Sequence, residues 1–123
     1  IELKGSNTSN ITSTVIMNYV EKTNWEVEHF IVSSFDWKEL EAFRSINQNI
    51  PVGILVDKST SINDAIEFGR KINAQAIHPN HMLLDKNSVK KIKNNGFKIY
   101  TWTVNNKEDI ILMKKFKGLC IFP

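Results

Sequence analysis

Short runs of apolar, β-branched residues alternate along this chain with longer stretches whose apolar positions recur every three or four residues. The short runs are 1–4 (IELK), 29–33 (HFIVS), 52–56 (VGILV), 75–78 (QAIH), 98–104 (KIYTWTV) and 119–122 (LCIF). Their β-branched and aromatic content, bounded by turn residues, predicts six strands. The spacing between them predicts five helices. The first covers about 11–22, where Ile11, Val15, Met17, Tyr19 and Val20 form a broad apolar set. The second opens at Asp36, where DWKE has the form of a capping box with Glu39 three residues on. Trp37, Leu40, Phe43 and Ile46 then fall near one face and should pack on a sheet. The third opens at Ser61, with Asp64 three residues later and Ile62, Ala65, Ile66 and Ile72 as its inner stripe. The fourth opens near 85–87, buries Val89 and Ile92, and ends at Gly96. The fifth begins after Asn105 or Asn106, with Glu108 and Asp109 suited to its positive end.

Strand starts recur roughly every 20 to 30 residues, a βαβα alternation that implies a parallel sheet with right-handed crossovers. No Pro/Gly-rich linker marks a domain boundary. Six strands and five helices suit either an open doubly wound sheet or most of a (β/α)₈ barrel, and periodicity does not choose between them. No GxGxxG or GxxxxGK[ST] follows any strand, which weakens the nucleotide-binding versions of the open sheet.

Composition narrows the classes further. With 123 residues, 41% hydrophobic and 24% charged, the chain is that of a globular domain. Its net charge of +3 is mildly basic. Lysines concentrate in 86–98 and at Lys114, Lys115 and Lys117. Such a run reads as a solvated helix face, so no nucleic-acid partner is expected. Cys120 is the single cysteine, which rules out an internal disulfide and favours a reducing, cytoplasmic compartment. No run approaches the ~18 apolar residues of a membrane span.

In both architectures a site gathers at the carboxyl ends of the strands. Glu2 and Lys4 alternate along the first run and so share one side of it. Glu2 could ligate a hard cation and Lys4 could meet a phosphate as a point charge; a purely structural ion pair is the plainer reading. Ser33 and Ser34 could donate to a ligand or close a turn, and Asp57 suits a turn. His78 and His81, separated by Pro79, could ligate a metal or move protons, although loop or surface roles are commoner for such residues. Trp102 is either a pocket wall or core; alternation puts it on one face with Tyr100 and Val104, and Thr101 and Thr103 on the other. There is no G-x-S-x-G and no H-E-x-x-H.

Taken in order, IELKG, VSSF, PVGILV and IHPNHMLLDKNSVKKIKNNGFKIYTWTVN resemble the glycerophosphodiester phosphodiesterase family over nearly the whole chain. GFKIYTWTVN resembles that family's strand ending in W-T-V-N, IELK its E-x-K strand, and SSF its serine–phenylalanine element. The resemblance implies a (β/α)₈ TIM-type barrel, incomplete here, with about six parallel strands and five helices over residues 1–123. It implies metal-dependent hydrolysis of a small-molecule glycerophosphodiester to glycerol 3-phosphate and an alcohol. Glu2 would be one of three carboxylates on a divalent ion, Mg²⁺ or Ca²⁺. Lys4 would contact the phosphate, Trp102 would line the pocket near the glycerol, and Phe35 would sit on its rim.

The departures are equally specific. The family's H-R-G motif, its second catalytic histidine and its E-x-D pair precede the E-x-K strand, so no catalytic residue is expected within this chain. The last strand reads GLCIFP where the family has a D-G-I-x-T-D-like end. The expectation is therefore the C-terminal portion of a domain, inactive alone, whose missing N-terminal barrel segment comes from the same or another chain. Two alternatives share these residues: a degenerate, non-catalytic barrel acting as a binding module, and a sphingomyelinase-D-like lyase.

Overall fold

The computed structural model describes residues 1–123. Contacts divide the chain into two compact units, Ile1–Gly53 and Ile54–Pro123. The strands follow the chain order β1-β2-β3-β4-β5. That order decides between the two architectures. A doubly wound sheet reverses its strand order at a switch point, whereas sequential parallel strands joined by helices make a barrel wall. The fold class is the (β/α)₈ type, with five parallel strands and five helices.

The first unit contains α1 (Ser9–Lys22), β1 (Val32–Ser34), α2 (Trp37–Ile46) and the start of β2 (Val52–Val56). The 1–4 run makes one parallel bridge, Glu2 with Ser33, instead of a strand. Its backbone exchange comprises Leu3 N–H to Ser33 O (2.7 Å), Ser33 N–H to Ile1 O (2.8 Å) and the Ile1 amino group to Ile31 O (2.8 Å). Strand β1 starts at Val32 and not at His29. His29 belongs to a 3₁₀ turn, Val27–His29, in which its Nδ1 accepts from the Glu26 N–H at 2.9 Å.

Asp36 caps α2 as expected, accepting from the Lys38 and Glu39 N–H groups. Glu39, however, does not complete a capping box. Its buried carboxylate accepts from the N–H and hydroxyl of Ser9 and from the Asn7 N–H, at the start of α1. Leu40 and Phe43 are fully buried, but Ile46 is 49% exposed. Each three-residue step falls about 60° short of a full turn, so by Ile46 the stripe has rotated off the sheet. The place opposite the sheet is taken by Arg44, whose Nη1 donates to Asn47 O, Gln48 O and Ile50 O and fastens the turn into β2.

The second unit continues β2 and adds α3 (Ile62–Lys71), β3 (Ala76–Pro79), α4 (Lys86–Asn94), β4 (Lys98–Thr101), α5 (Lys107–Lys114) and β5 (Leu119–Ile121). Ser61, Asp85 and Asn106 cap the three helices through side-chain oxygens. Ile77 pairs with Ile99, and Ile99 with Leu119, in parallel register. Ile54, Val56, Ala65, Ile77, Ile92, Ile99 and Met113 form its apolar interior, each at most 1% exposed. Gly96, at φ +84°, ends α4 where a side chain would be strained. Regular pairing in β4 stops at Thr101, short of 104, and Trp102 prolongs it by one bridge to Asn80.

Candidate functional site

In the first unit, Glu2 and Lys4 flank buried Leu3, as period-two alternation requires. Leu3 is pinned on both sides: its N–H to Ser33, and its carbonyl accepting from Ser34 Oγ at 2.9 Å. Ser34 Oγ also accepts the Asp36 N–H, so Ser34 closes the turn that leads into α2. The Lys4 ammonium lies 3.6 Å from the Glu2 carboxylate, with side chains 76% and 34% exposed. An exposed pair of this kind contributes about 0–1 kcal/mol. Stability therefore gives little reason for an acid and a base at this edge, and the ammonium is free to reach an anion. Phe35, just beyond β1, is 45% exposed. Asp57, in the second unit, does take a turn role, its Oδ1 accepting the Ser59 N–H at 2.8 Å.

Also in the second unit, Trp102 is half-buried and held from three directions. Its Nε1–H donates to His78 O (2.8 Å), its N–H to Pro79 O (3.2 Å), and its carbonyl accepts the His81 N–H (2.7 Å). The Nε1–H bond ties the indole to β3, and the two backbone bonds hold the residue beside it. The Trp102–Thr103 peptide is cis. Thr101 is fully buried and donates to Pro79 O, while Thr103 is exposed, so the two threonines do not share an environment. Parallel strands covered on both faces bury successive residues.

His78 departs from the loop or surface expectation, whereas His81 lies in a 3₁₀ turn of the β3–α4 connection, as a loop role requires. His78 is a buried strand residue, its ring edge-on to Tyr100 at 5.1 Å, and its Nε2 has no hydrogen-bond partner. Burial lowers its pKa to about 4, so it is neutral at physiological pH. His81 Nε2 stands 3.3 Å from Asp109 Oδ2, which also accepts from Asn106 Nδ2 at 2.6 Å. Sequence reasoning missed this His81–Asp109 contact, because nothing local links residues 28 apart. Burial of His78 was signalled only by its apolar neighbours Ala76 and Ile77.

No group of three or more His, Cys, Asp or Glu side chains is assembled to hold a metal ion. Glu2 alone offers one carboxylate to a hard cation, so the residues of this chain do not by themselves fit a divalent site. No helix is long and apolar enough to cross a membrane.

Parallel strands in chain order joined by helices define a wall of the (β/α)₈ type. Solved structures agree on the fold. An Oleispira antarctica phosphodiesterase, solved with the product sn-glycerol-3-phosphate, matches 98% of this chain and 49% of its own at 21% identity and TM-score 0.76. A glycerophosphodiester phosphodiesterase from Thermotoga maritima matches 99% of this chain and 52% of its own at 21% identity and TM-score 0.70. The model of the glycerophosphoryl diester phosphodiesterase family matches residues 5–122, and the chain belongs to that family. Glu2 and Lys4 lie just outside the matched range. A curated glycerophosphodiester phosphodiesterase from Caldanaerobacter subterraneus subsp. tengcongensis is 26% identical over 100 residues, 81% of this chain and 40% of the relative. The chain thus spans about half, or less, of the length of these relatives.

Proposed function

We propose that this chain is the C-terminal part of a (β/α)₈ domain that hydrolyses glycerophosphodiesters to glycerol 3-phosphate and an alcohol. The observation that carries the reading is the Glu2–Lys4 pair, held in alternation by the clamped Leu3 at the edge of the first unit. Lys4 binds the phosphodiester oxygens through its solvent-facing ammonium. In the complete domain Trp102 contacts the glycerol through its indole, and Phe35 is a rim residue. Glu2 contributes one carboxylate toward a divalent ion, Mg²⁺ or Ca²⁺. A bound cation neutralises charge at the phosphate. The remaining ligands and the proton-transfer groups come from barrel segments outside these residues, in the same or another chain. The residues here bind and orient; alone they do not complete a hydrolytic site.

The test is mutational, made in the complete barrel domain that contains this chain. Glu2→Gln should weaken Mg²⁺ or Ca²⁺ binding, read by calorimetry, with little change in circular dichroism. Trp102→Ala should raise KM for a glycerophosphodiester. Unchanged cation affinity removes Glu2 from the site, and an unaltered KM makes Trp102 core alone.

A further inference from the structure

The charge of the chain is divided unevenly. Residues 54–123 carry twelve Lys and Arg against six Asp and Glu, whereas residues 1–53 carry four against seven. Within the second unit the charges are segregated again. Asp64, Asp85, Glu108 and Asp109 stand at helix starts, Asp57 lies just after β2, and Glu67 lies within α3. No Asp or Glu occurs between Lys86 and Lys107, or after Asp109. Helix dipoles account for a basic residue or two in each last turn. They do not account for the gathering at the turn that enters β5.

Five exposed lysines meet there. Lys93, in the last turn of α4, donates to the Lys117 carbonyl, and its Nζ lies 3.3 Å from where a Gly118 side chain would begin. Lys98 opens β4, and the register Ile99 to Leu119 sets it beside Gly118. Lys114 and Lys115 close α5 immediately before the turn. All five are exposed, and none makes a salt bridge. One turn earlier on α5, Ile111 and Leu112 are 51% and 44% exposed. Ile111 and Lys115 are four apart and Leu112 and Lys115 three apart, so they share a helix face.

We infer that this end of the second unit docks onto an anionic lipid surface, with the five lysines on the headgroups and Ile111 and Leu112 entering the interface. The chemistry favours lipid over nucleic acid. The patch has no arginine to fork onto phosphates or bases, and lysine acts as a point charge. Apolar side chains set among lysines on a helix are the composition of an interfacial contact. The lysines cluster at the end where α4 finishes and β4 and β5 begin, whereas Trp102 and Asn80 stand at the opposite, carboxyl ends of their strands. Docking there leaves those ends open, and the inference does not depend on the proposed hydrolysis.

Vesicle co-sedimentation of the protein tests it. The expected result is binding to phosphatidylcholine vesicles containing roughly one-third phosphatidylglycerol, none to phosphatidylcholine alone, and release by salt. The triple substitution Lys93→Gln, Lys115→Gln, Lys117→Gln should weaken binding roughly a hundredfold, since each lysine near an anionic surface is worth roughly fivefold in affinity. Lys22→Gln with Lys38→Gln, in the first unit, should leave it unchanged. Unfolding curves of the triple variant should match the parent, because all three side chains are exposed. Absence of binding to anionic vesicles overturns the inference, as does equal loss in the first-unit variant. Displacement of the vesicles by a short DNA duplex would overturn it in favour of a nucleic-acid surface.

Discussion

Replacing Glu39 by Ala isolates a contact that joins two helices of the first unit. Helix α1 begins at Ser9, and its own N-cap, Thr8, makes no side-chain capping bond. Two donors near that end, Asn7 N–H (3.2 Å) and Ser9 N–H (2.8 Å), are taken by the Glu39 carboxylate, along with the Ser9 hydroxyl. A negative charge at a helix N-terminus is favourable as well. Hydrogen bonds to a charged group contribute about 1.5–3 kcal/mol, and an unpaired buried donor costs about 1–3 kcal/mol. Asn7 is exposed and water can serve it, so the loss concentrates at Ser9. Glu39→Ala should therefore cost about 2–3 kcal/mol in urea unfolding, a large part of the 5–15 kcal/mol typical of a domain. Glu39→Gln, which keeps an acceptor but no charge, should cost about half as much. The Ser9 hydroxyl bond, opposed by burial, holds the Glu39 carboxyl below its ordinary value of 4.5. Its contribution is thus complete above the unfolded value and is lost as pH falls through the lower folded one. A Glu39→Ala variant within about 0.5 kcal/mol of the parent at neutral pH would refute the reasoning.

Two further predictions concern the second unit. A methyl group at Gly69 would stand 2.9 Å from the Phe97 ring and 3.1 Å from Ile54 Cδ1. Gly69→Ala should lower stability by about 1–2 kcal/mol, overpacking outweighing the helix-propensity gain of about 1 kcal/mol; a raised Tm would show that the Phe97 ring yields freely. For His78, the folded pKa near 4 lies below the ordinary 6.5, so the unfolded chain binds the extra proton. Stability should fall by up to about 3 kcal/mol as pH drops from 6.5 to 4. His78→Phe should remove that slope, and an unchanged slope would assign it to other groups.

The parts of the fold governed by local chemistry were legible in the chain. Asp36, Ser61, Asp85 and Asn106 cap their helices because an Asp, Ser or Asn side chain needs only the next few N–H groups to do so. The 52–56 strand is matched residue for residue by β2, an apolar run buried throughout. Misreadings arose where a partner distant in sequence decides. Strand 29–33 shortened because His29 bonds Glu26, and 1–4 stayed a bridge because its pairing centres on Ser33 alone. Glu39 has the spacing of a capping box, but its partner is 30 residues away at Ser9. At the candidate site, alternation correctly set Glu2 and Lys4 around Leu3. The support behind Trp102, the His78 carbonyl and the His81 amide, comes from strand register, which no single-chain pattern encodes.

The proposed hydrolysis depends most directly on Lys4 as the phosphate contact. Release of sn-glycerol 3-phosphate from glycerophosphoethanolamine, followed with saturating Mg²⁺ or Ca²⁺, tests it directly in the complete barrel domain that contains this chain and in the same domain carrying Lys4→Met. Lys4 is exposed and adds little to folding, so the two should melt together. The predicted result is release by the parent and a loss of about a hundredfold in Lys4→Met, the order expected for removing one charge-stabilising group at a reacting phosphate. Undiminished release in Lys4→Met, or no release from the parent with either cation, would contradict it.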